Sequence, residues 1–439
     1  MLVSKRKRYL SGPDWVINTL DHMMKATTSA GNMSQVVLQF DSPQDENEIR
    51  TRLARFVGAF PVLEGSVSRD IKLAPYWKIP ATTNKTLLFT VHRLDDGDGS
   101  AFLSLLEKSV NTPFPGRKEH LAFHLLNGTG RSFLAMAFDH AVFDARGAEM
   151  FLNLFQESMN SGGPVSGDIA FVSSSGLTEW SKKFLAGRNV NRRIIALSRS
   201  TPEVLAPPAA GGRSYRYHLL RFSEEETAYI YDRAYDEAGY LMESPYLLAA
   251  IIETVHDLFK DRTGSGSSYL IPVTMDLRPG LDQLQEIFFN YVSYLFYQVP
   301  VGDAGDRKAL IALLKQQMYD QVKSGFPRDL AEASLLTRIA PLPLLGRLLQ
   351  LPLKGKMATF AFSHLGKSAY RHCDFSGRRV ANLFHMPRVP MPPGIGFFSN
   401  YYDKKLNLVI AYLEGLVDDQ VVQQLDKGIR SRFGVVQPT

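Results

Sequence analysis

Between Ala137 and Gly147 the chain reads Ala-Phe-Asp-His-Ala-Val-Phe-Asp-Ala-Arg-Gly, which sets one imidazole, His140, between two carboxylates, Asp139 and Asp144. A neutral imidazole, with a reference pKa of about 6.5, takes a proton from a hydroxyl, amine or thiol near neutral pH as that group attacks. His140 follows a strongly apolar run ending at Phe138 and stands among the small or apolar residues Ala141, Val142 and Ala145. A buried setting of that kind keeps the ring uncharged and suits a base.

Whether the ring can act depends on the elements that hold it. The apolar, β-branched run Met33–Phe40 predicts a strand, and Ser42-Pro43-Gln44-Asp45 predicts a helix N-cap with proline in the first turn. Ile49, Leu53, Phe56, Val57 and Phe60 then recur at helical spacing, and Phe60-Pro61 stops the helix. Further on, two half-buried strand patterns flank Asn127-Gly128-Thr129-Gly130, a hairpin turn signal. The second of these strands runs directly into His140, and Ala148 to Met159 reads as a helix. His140 and Asp144 therefore fall on a strand-to-helix connection, where chains often place function.

Loop-forming residues at Ser161–Gly167 and Pro207–Gly212 predict a boundary between residues 160 and 215, dividing the chain into 1–190 and 191–439. The second half repeats the grammar of the first. Tyr215–Phe222 predicts a strand, Ser223 with Glu226 forms a capping box, and Ser244-Pro245 opens a further helix with Leu248, Ile251, Ile252 and Val255 on one face. Strand patterns follow at Tyr269–Met275, Asn290–Val299 and Leu406–Leu413. Two α/β halves of similar design, with a ligand cleft between them, are the simplest architecture.

Composition narrows the function classes. The 439 residues, 45% hydrophobic and 11% aromatic, can bury more than one core. A formal net charge of +6 suits CoA phosphates or an acidic protein partner and does not demand nucleic acid. The dense basic run Lys5-Arg6-Lys7-Arg8 reads as a solvated N-terminal tail, and the segment after it, with Pro13, lacks the apolar stretch of a signal peptide. Leu330–Leu353 is interrupted by Glu332, Arg338, Pro341, Pro343 and Arg347, so no apolar span of roughly 20 residues is available to cross a membrane. That leucine-rich segment is expected to pack as helices in the second core; the alternatives are lining the entrance of a ligand site or a peripheral membrane contact. A single cysteine, Cys373, excludes an internal disulfide and a cysteine metal cluster and agrees with a reducing, cytoplasmic setting.

Several motifs fail on their chemistry. Ala361–Ser368 ends as a phosphate-binding loop would, but Ala361 stands where the first glycine is needed. Gly394-Ile395-Gly396 lacks the third glycine of a dinucleotide loop, and neither a Gly-x-Ser-x-Gly elbow nor a His-Glu-x-x-His zinc motif occurs, so no metal is expected. His124 and His256 lie within strand and helix patterns and are read as packing or solvent-exposed residues.

His140-x-x-x-Asp144 at a strand-to-helix junction resembles the active-site motif of the superfamily that contains non-ribosomal peptide condensation domains, chloramphenicol-acetyltransferase-like enzymes, plant-type alcohol acyltransferases and wax-ester-type enzymes. Val273–Pro279, with Asp276-Leu277-Arg278, followed by Phe289–Ser293, with Asn290, is similar to the second-half block of that family. So are Phe60–Gly65, the hairpin before His140, and the closing segment Leu406–Phe433, and the resemblance spans most of the chain.

The resemblance implies an α/β (α+β two-layer) fold of two chloramphenicol-acetyltransferase-like subdomains forming a V with a central tunnel. His140 would stand midway along it as general base for a hydroxyl or amine attacking an acyl thioester in a ternary complex. The thioester would belong to acyl-CoA or to a phosphopantetheinyl carrier protein acting in trans, with no permanently bound cofactor. By the family pattern Asp144 turns away from substrate and pairs with an arginine, for which Arg278 is the candidate. Ser363, Ser399 and Asn290 are candidate contacts to substrate or oxyanion. Asp139 occupies the place of a first histidine, and Ala145 replaces the usual glycine, with Gly147 expected to supply flexibility two residues later. Asp139-x4-Asp144 also matches the spacing of heterocyclization relatives, but His140 is retained and Gly147 stands where those carry serine. The Asp-Phe-Gly-Trp-Gly block of the plant branch is missing. The remaining alternative is a catalytically silent binding or scaffolding relative.

Overall fold

A computed structural model describes residues 6–81, 86–94, 99–161, 180–208, 214–259, 267–280 and 286–435. The fold is mixed α/β, built on two large sheets. Met33–Phe40 lies inside the first, a six-stranded sheet, because Val36, Val37, Leu38 and Phe40 bury apolar side chains on both faces. On one side it pairs antiparallel with Ser132–Asp139, which forms the expected hairpin with Leu121–Asn127; Leu88–Arg93 adds a parallel edge. On the other side lies Arg378–Met386, a strand from far along the chain, followed by Asp374–Phe375. The helix Trp180–Leu197 runs straight through residue 190, and these late strands complete the early sheet, so the sheets do not part at that position.

The second sheet has the strand order Val292–Pro300, Ser267–Asp276, Ala361–Lys367, Ile395–Tyr402, Lys405–Leu413, Tyr215–Arg221. Helices Glu224–Ala238, Glu243–Phe259, Arg307–Lys323 and Asp419–Phe433 bury their apolar faces in this half, where Ile251, Ile252, Ile271, Leu408 and Ile429 share one core. The Ser223–Glu226 capping box opens the first of them. Much of the boundary region lies outside the described residues.

Three sequence expectations are corrected. The helix Glu46–Val57 is capped by Asp45, whose carboxylate accepts the Glu48 N–H at 2.9 Å, not by Ser42. The Ser42 carbonyl is taken by Ser132 Oγ, and the Gln44 backbone by the Asn127 side chain, so this stretch is committed to the hairpin. The basic run is no solvated tail from Lys7 on. Lys7–Tyr9 pairs with Pro75–Lys78, and Arg8, 4% exposed, forms an ion pair with Asp14 at 2.5 Å beneath a face of Phe289. Finally, the leucine-rich segment forms the helices Phe326–Thr337 and Leu342–Gln350, and Leu353 packs with Leu270 of the second sheet as expected, but Leu345 joins the first core with Leu10 and Trp15, while Leu344, Leu348 and Leu351 stay exposed. One apolar face of that short helix is enough to anchor it. No described helix is long and apolar enough to cross a membrane.

Candidate active site

The strand Ser132–Asp139 ends in a tight turn before helix Ala145–Ser161 begins. Asp139 closes that turn: its Oδ1 accepts the Ala141 N–H at 2.9 Å, and its carbonyl accepts from Val142. Its Oδ2 lies 3.0 Å from His120 Nδ1, and His120 Nε2 reaches the Gly65 carbonyl. Burial pushes the Asp139 carboxyl up, but the hydrogen bond and charge of His120 outweigh it and hold the group below its ordinary range. Asp139 is thereby a brace for the turn.

His140 is held from behind. Its N–H donates to the Asn32 carbonyl at 3.2 Å, its Nδ1 faces Asn290 Oδ1 at 3.0 Å, and Asn290 Nδ2 returns a bond to the His140 carbonyl at 2.9 Å. An amide oxygen only accepts, so this network assigns the proton to Nδ1 and leaves the lone pair on Nε2. Asn290 is itself pinned by its backbone N–H, which donates to Asp14 Oδ1 at 3.0 Å, and Asp14 is held in turn by Arg8. Asn290 is 2% exposed, both its amide atoms are engaged by His140, and it lies outside the cavity lining.

Asp144 turns the other way. Arg278 Nη2 and the Gly147 N–H donate to its Oδ1 at 2.7 and 2.8 Å, and the Tyr291 N–H donates to its Oδ2 at 2.9 Å. Both ionic side chains are 1% exposed. Arg278 also donates to Asp276 and to the Glu286 carbonyl and stacks its guanidinium 4.7 Å over the Tyr291 ring. Burial works against the arginine charge, and Asp144 with Asp276 more than restores it. Gly147 contributes no flexibility: it is helical, and a Cβ there would sit 2.1 Å from the Ile287 carbonyl oxygen. Its role is close approach, letting the first turn of the helix lie against the 286–289 backbone, where Phe143 and Phe289 bridge.

Beside these groups a cavity of about 150 Å³ opens between the sheets, with His140 on its wall. Ser363 and Ser399 both line it; Ser363 Oγ is 2.6 Å from Thr274 Oγ1, and Ser399 Oγ is 2.8 Å from His364 Nδ1. The cavity therefore gathers His140, Asp144, Arg278, Ser363 and Ser399 from the sequence-derived set and sets Asp139, Gly147 and Asn290 behind its wall. Among the described residues no cluster of three or more histidine, cysteine or acidic side chains is placed to hold a metal.

Three polar residues of the wall, Arg146, His364 and His385, and Glu149 buried behind it were not singled out from the sequence. Arg146 donates to the carbonyls of Leu365 and Lys367, tying the helix to the second sheet. Burial, with the Arg146 charge beside it, pulls His364 down to about 4, so its ring is neutral at physiological pH. His385 and Glu149 form a buried pair. A signal for Glu149 existed: a carboxylate on the otherwise apolar face formed by Ala148, Phe151, Leu152 and Phe155 has to find a partner inside.

The same fold occurs in solved structures covering nearly the whole chain. The trichothecene 15-O-acetyltransferase TRI3 of Fusarium sporotrichioides matches with a TM-score of 0.72 at 12% identity, over 97% of this chain and 95% of that one. The first condensation domain of the CDA synthetase matches with a TM-score of 0.70 at 13% identity, over 97% and 95%. The condensation domain of the monacolin K polyketide synthase MokA matches with a TM-score of 0.63 at 11% identity, over 97% and 96%. No family model matches the sequence, and no curated protein does. The architecture is that of the condensation domains and of this acetyltransferase.

Proposed function

We propose that the chain is an acyltransferase in which His140 Nε2 takes the proton of a hydroxyl or amine acceptor as that group attacks an acyl thioester. The new ester or amide bond forms as the C–S bond breaks, and the proton passes from His140 to the departing thiolate, so no covalent enzyme intermediate is required. The hydroxyls of Ser363 and Ser399 are the candidate donors to the developing oxyanion. The donor is CoA or a carrier-bound pantetheine. A reducing, cytoplasmic setting belongs to the same reading, supported by the lone, exposed Cys373.

One observation carries the proposal: an imidazole with one nitrogen pinned by Asn290 stands on the wall of a cavity where two sheets meet, in a fold shared with an O-acetyltransferase. The test incubates the protein with acyl-CoAs of graded length and a panel of alcohols and amines, reading free thiol. Acceptor-dependent thiol release is expected, falling by about 10²–10⁴-fold in His140→Ala with the circular dichroism spectrum unchanged. Release that survives in H140A refutes the assigned base, and no release with any CoA or carrier thioester refutes the activity.

A further inference from the structure

His385 is a second backed imidazole on the wall of the same cavity. It lies on Arg378–Met386, opposite Val36, and the strand bearing Val36 separates it from the strand leading to His140. Two strand spacings make the lateral component of their separation about 10 Å, and His140 lies four residues beyond Met136, the residue level with His385, which adds roughly 13 Å along the strand before the two side chains converge on the cavity. His385 Nε2 is 2.8 Å from Glu149 Oε1, and the two side chains are 5% and 0% exposed. The other carboxylate oxygen accepts the Ala369 N–H at 2.6 Å and faces Arg146 Nη1 at 3.3 Å. Burial pushes the Glu149 carboxyl up, but the hydrogen bond from His385, with the Arg146 charge and the Ala369 N–H, outweighs it and holds the group below its ordinary range. An ionised carboxylate only accepts, so Nε2 carries the proton. The other ring nitrogen, Nδ1, is buried and has no hydrogen-bond partner among the described residues.

Acyl transfer moves one proton from acceptor to leaving thiolate, and His140 alone accounts for it. Glu149 and His385 are left without a part in that step. A buried ring nitrogen without a partner costs free energy that a ligand's donor would remove, and a carboxylate behind the ring strengthens it as an acceptor. We propose that His385 Nδ1 recognises a second protic group on the acceptor. A hydroxyl or amine N–H rests on His385 while the group to be acylated faces His140. The preferred acceptors are thus diols, amino alcohols and similar bifunctional molecules. This rests on the acyltransfer reading and adds the substrate class.

The experiment compares each diol from propanediol to octanediol with the mono-alcohol lacking the second hydroxyl, using the best acyl-CoA of the panel. Wild type is expected to favour at least one diol tenfold or more in kcat/KM, because a site built around a hydroxyl discriminates against its loss. His385→Gln keeps an amide donor toward Glu149 but offers nothing in place of Nδ1. Its diol preference should fall toward one through KM, with an unfolding midpoint close to wild type. Independently of turnover, the preferred diol should shift the His385 Nδ1 resonance in ¹⁵N-histidine-labelled protein, in wild type and in H140A alike, and the mono-alcohol should not. Failed thiol release with the shift present sinks the acyltransfer reading alone. No diol preference in an active wild type, an H385Q variant that keeps it, or an Nδ1 resonance that diols leave unmoved overturns this inference.

Discussion

The Asp144 junction and the cavity wall facing it are both made of buried polar groups, yet one is complete and the other is open. Asp144 receives Arg278 and two backbone N–H groups, and Arg278 spends its remaining donors on Asp276 and the Glu286 carbonyl. Around the cavity, His140 offers its Nε2 and His385 keeps an unmatched Nδ1. A closed network serves the fold, because every charge it buries already has a partner; an open one waits for a molecule to finish it.

The sharpest way to break this contrast is Arg278→Ala. It leaves the Asp144 carboxylate buried with only backbone donors, and a loss of about 3–5 kcal/mol in unfolding free energy is expected from urea denaturation. A loss below about 1 kcal/mol would mean that the junction is not the closed structural device described. Next comes Asn290→Ala, which frees the His140 ring without unpairing any charge. A fall of about 100-fold in kcat, with KM little changed, is expected from the misplaced base. An equal fall in stability and activity would merge the two regions into one.

The smallest effect is a pH dependence. His364 has a folded pKa pulled down to about 4 against about 6.5 when unfolded, so the unfolded chain binds more protons between those values. Stability from this group is complete above pH 6.5 and declines as pH falls toward 4. The lowered carboxyls of Asp139 and Glu149 act lower, contributing above the ordinary carboxylate range and losing that contribution as they protonate. His364→Asn should therefore reduce the fall of the urea midpoint between pH 6.5 and 4, leaving the part due to His124, which burial also pulls down to about 4, and the steeper acid limb in place.

Local patterns carried much of this architecture. Met33–Phe40 matched its strand end to end, the Asn127–Gly130 turn closed its hairpin, and the Ser223 capping box opened its helix, because each depends on neighbours within a few residues. What depends on distant partners was not legible. An alternating apolar run does not say which strand it joins, so Arg378–Met386 entering the first sheet, and His385 with it, went unread. Arg8 looked like a solvated charge because its acceptor, Asp14, and its aromatic platform, Phe289, are brought to it only by the fold. In the site, the pairing of His140 with Asn290 spans 150 positions, and residue types alone could not tell a ring-holding amide from one that meets substrate.

The late strand also sets a schedule for biosynthesis. As the chain leaves the ribosome, Met33–Phe40 can gain its hairpin neighbour early, but its opposite edge keeps bare amides and carbonyls until Arg378–Met386 emerges. For most of translation the nascent protein carries a sticky, half-built sheet, and truncation anywhere before that strand leaves the edge permanently exposed to other chains.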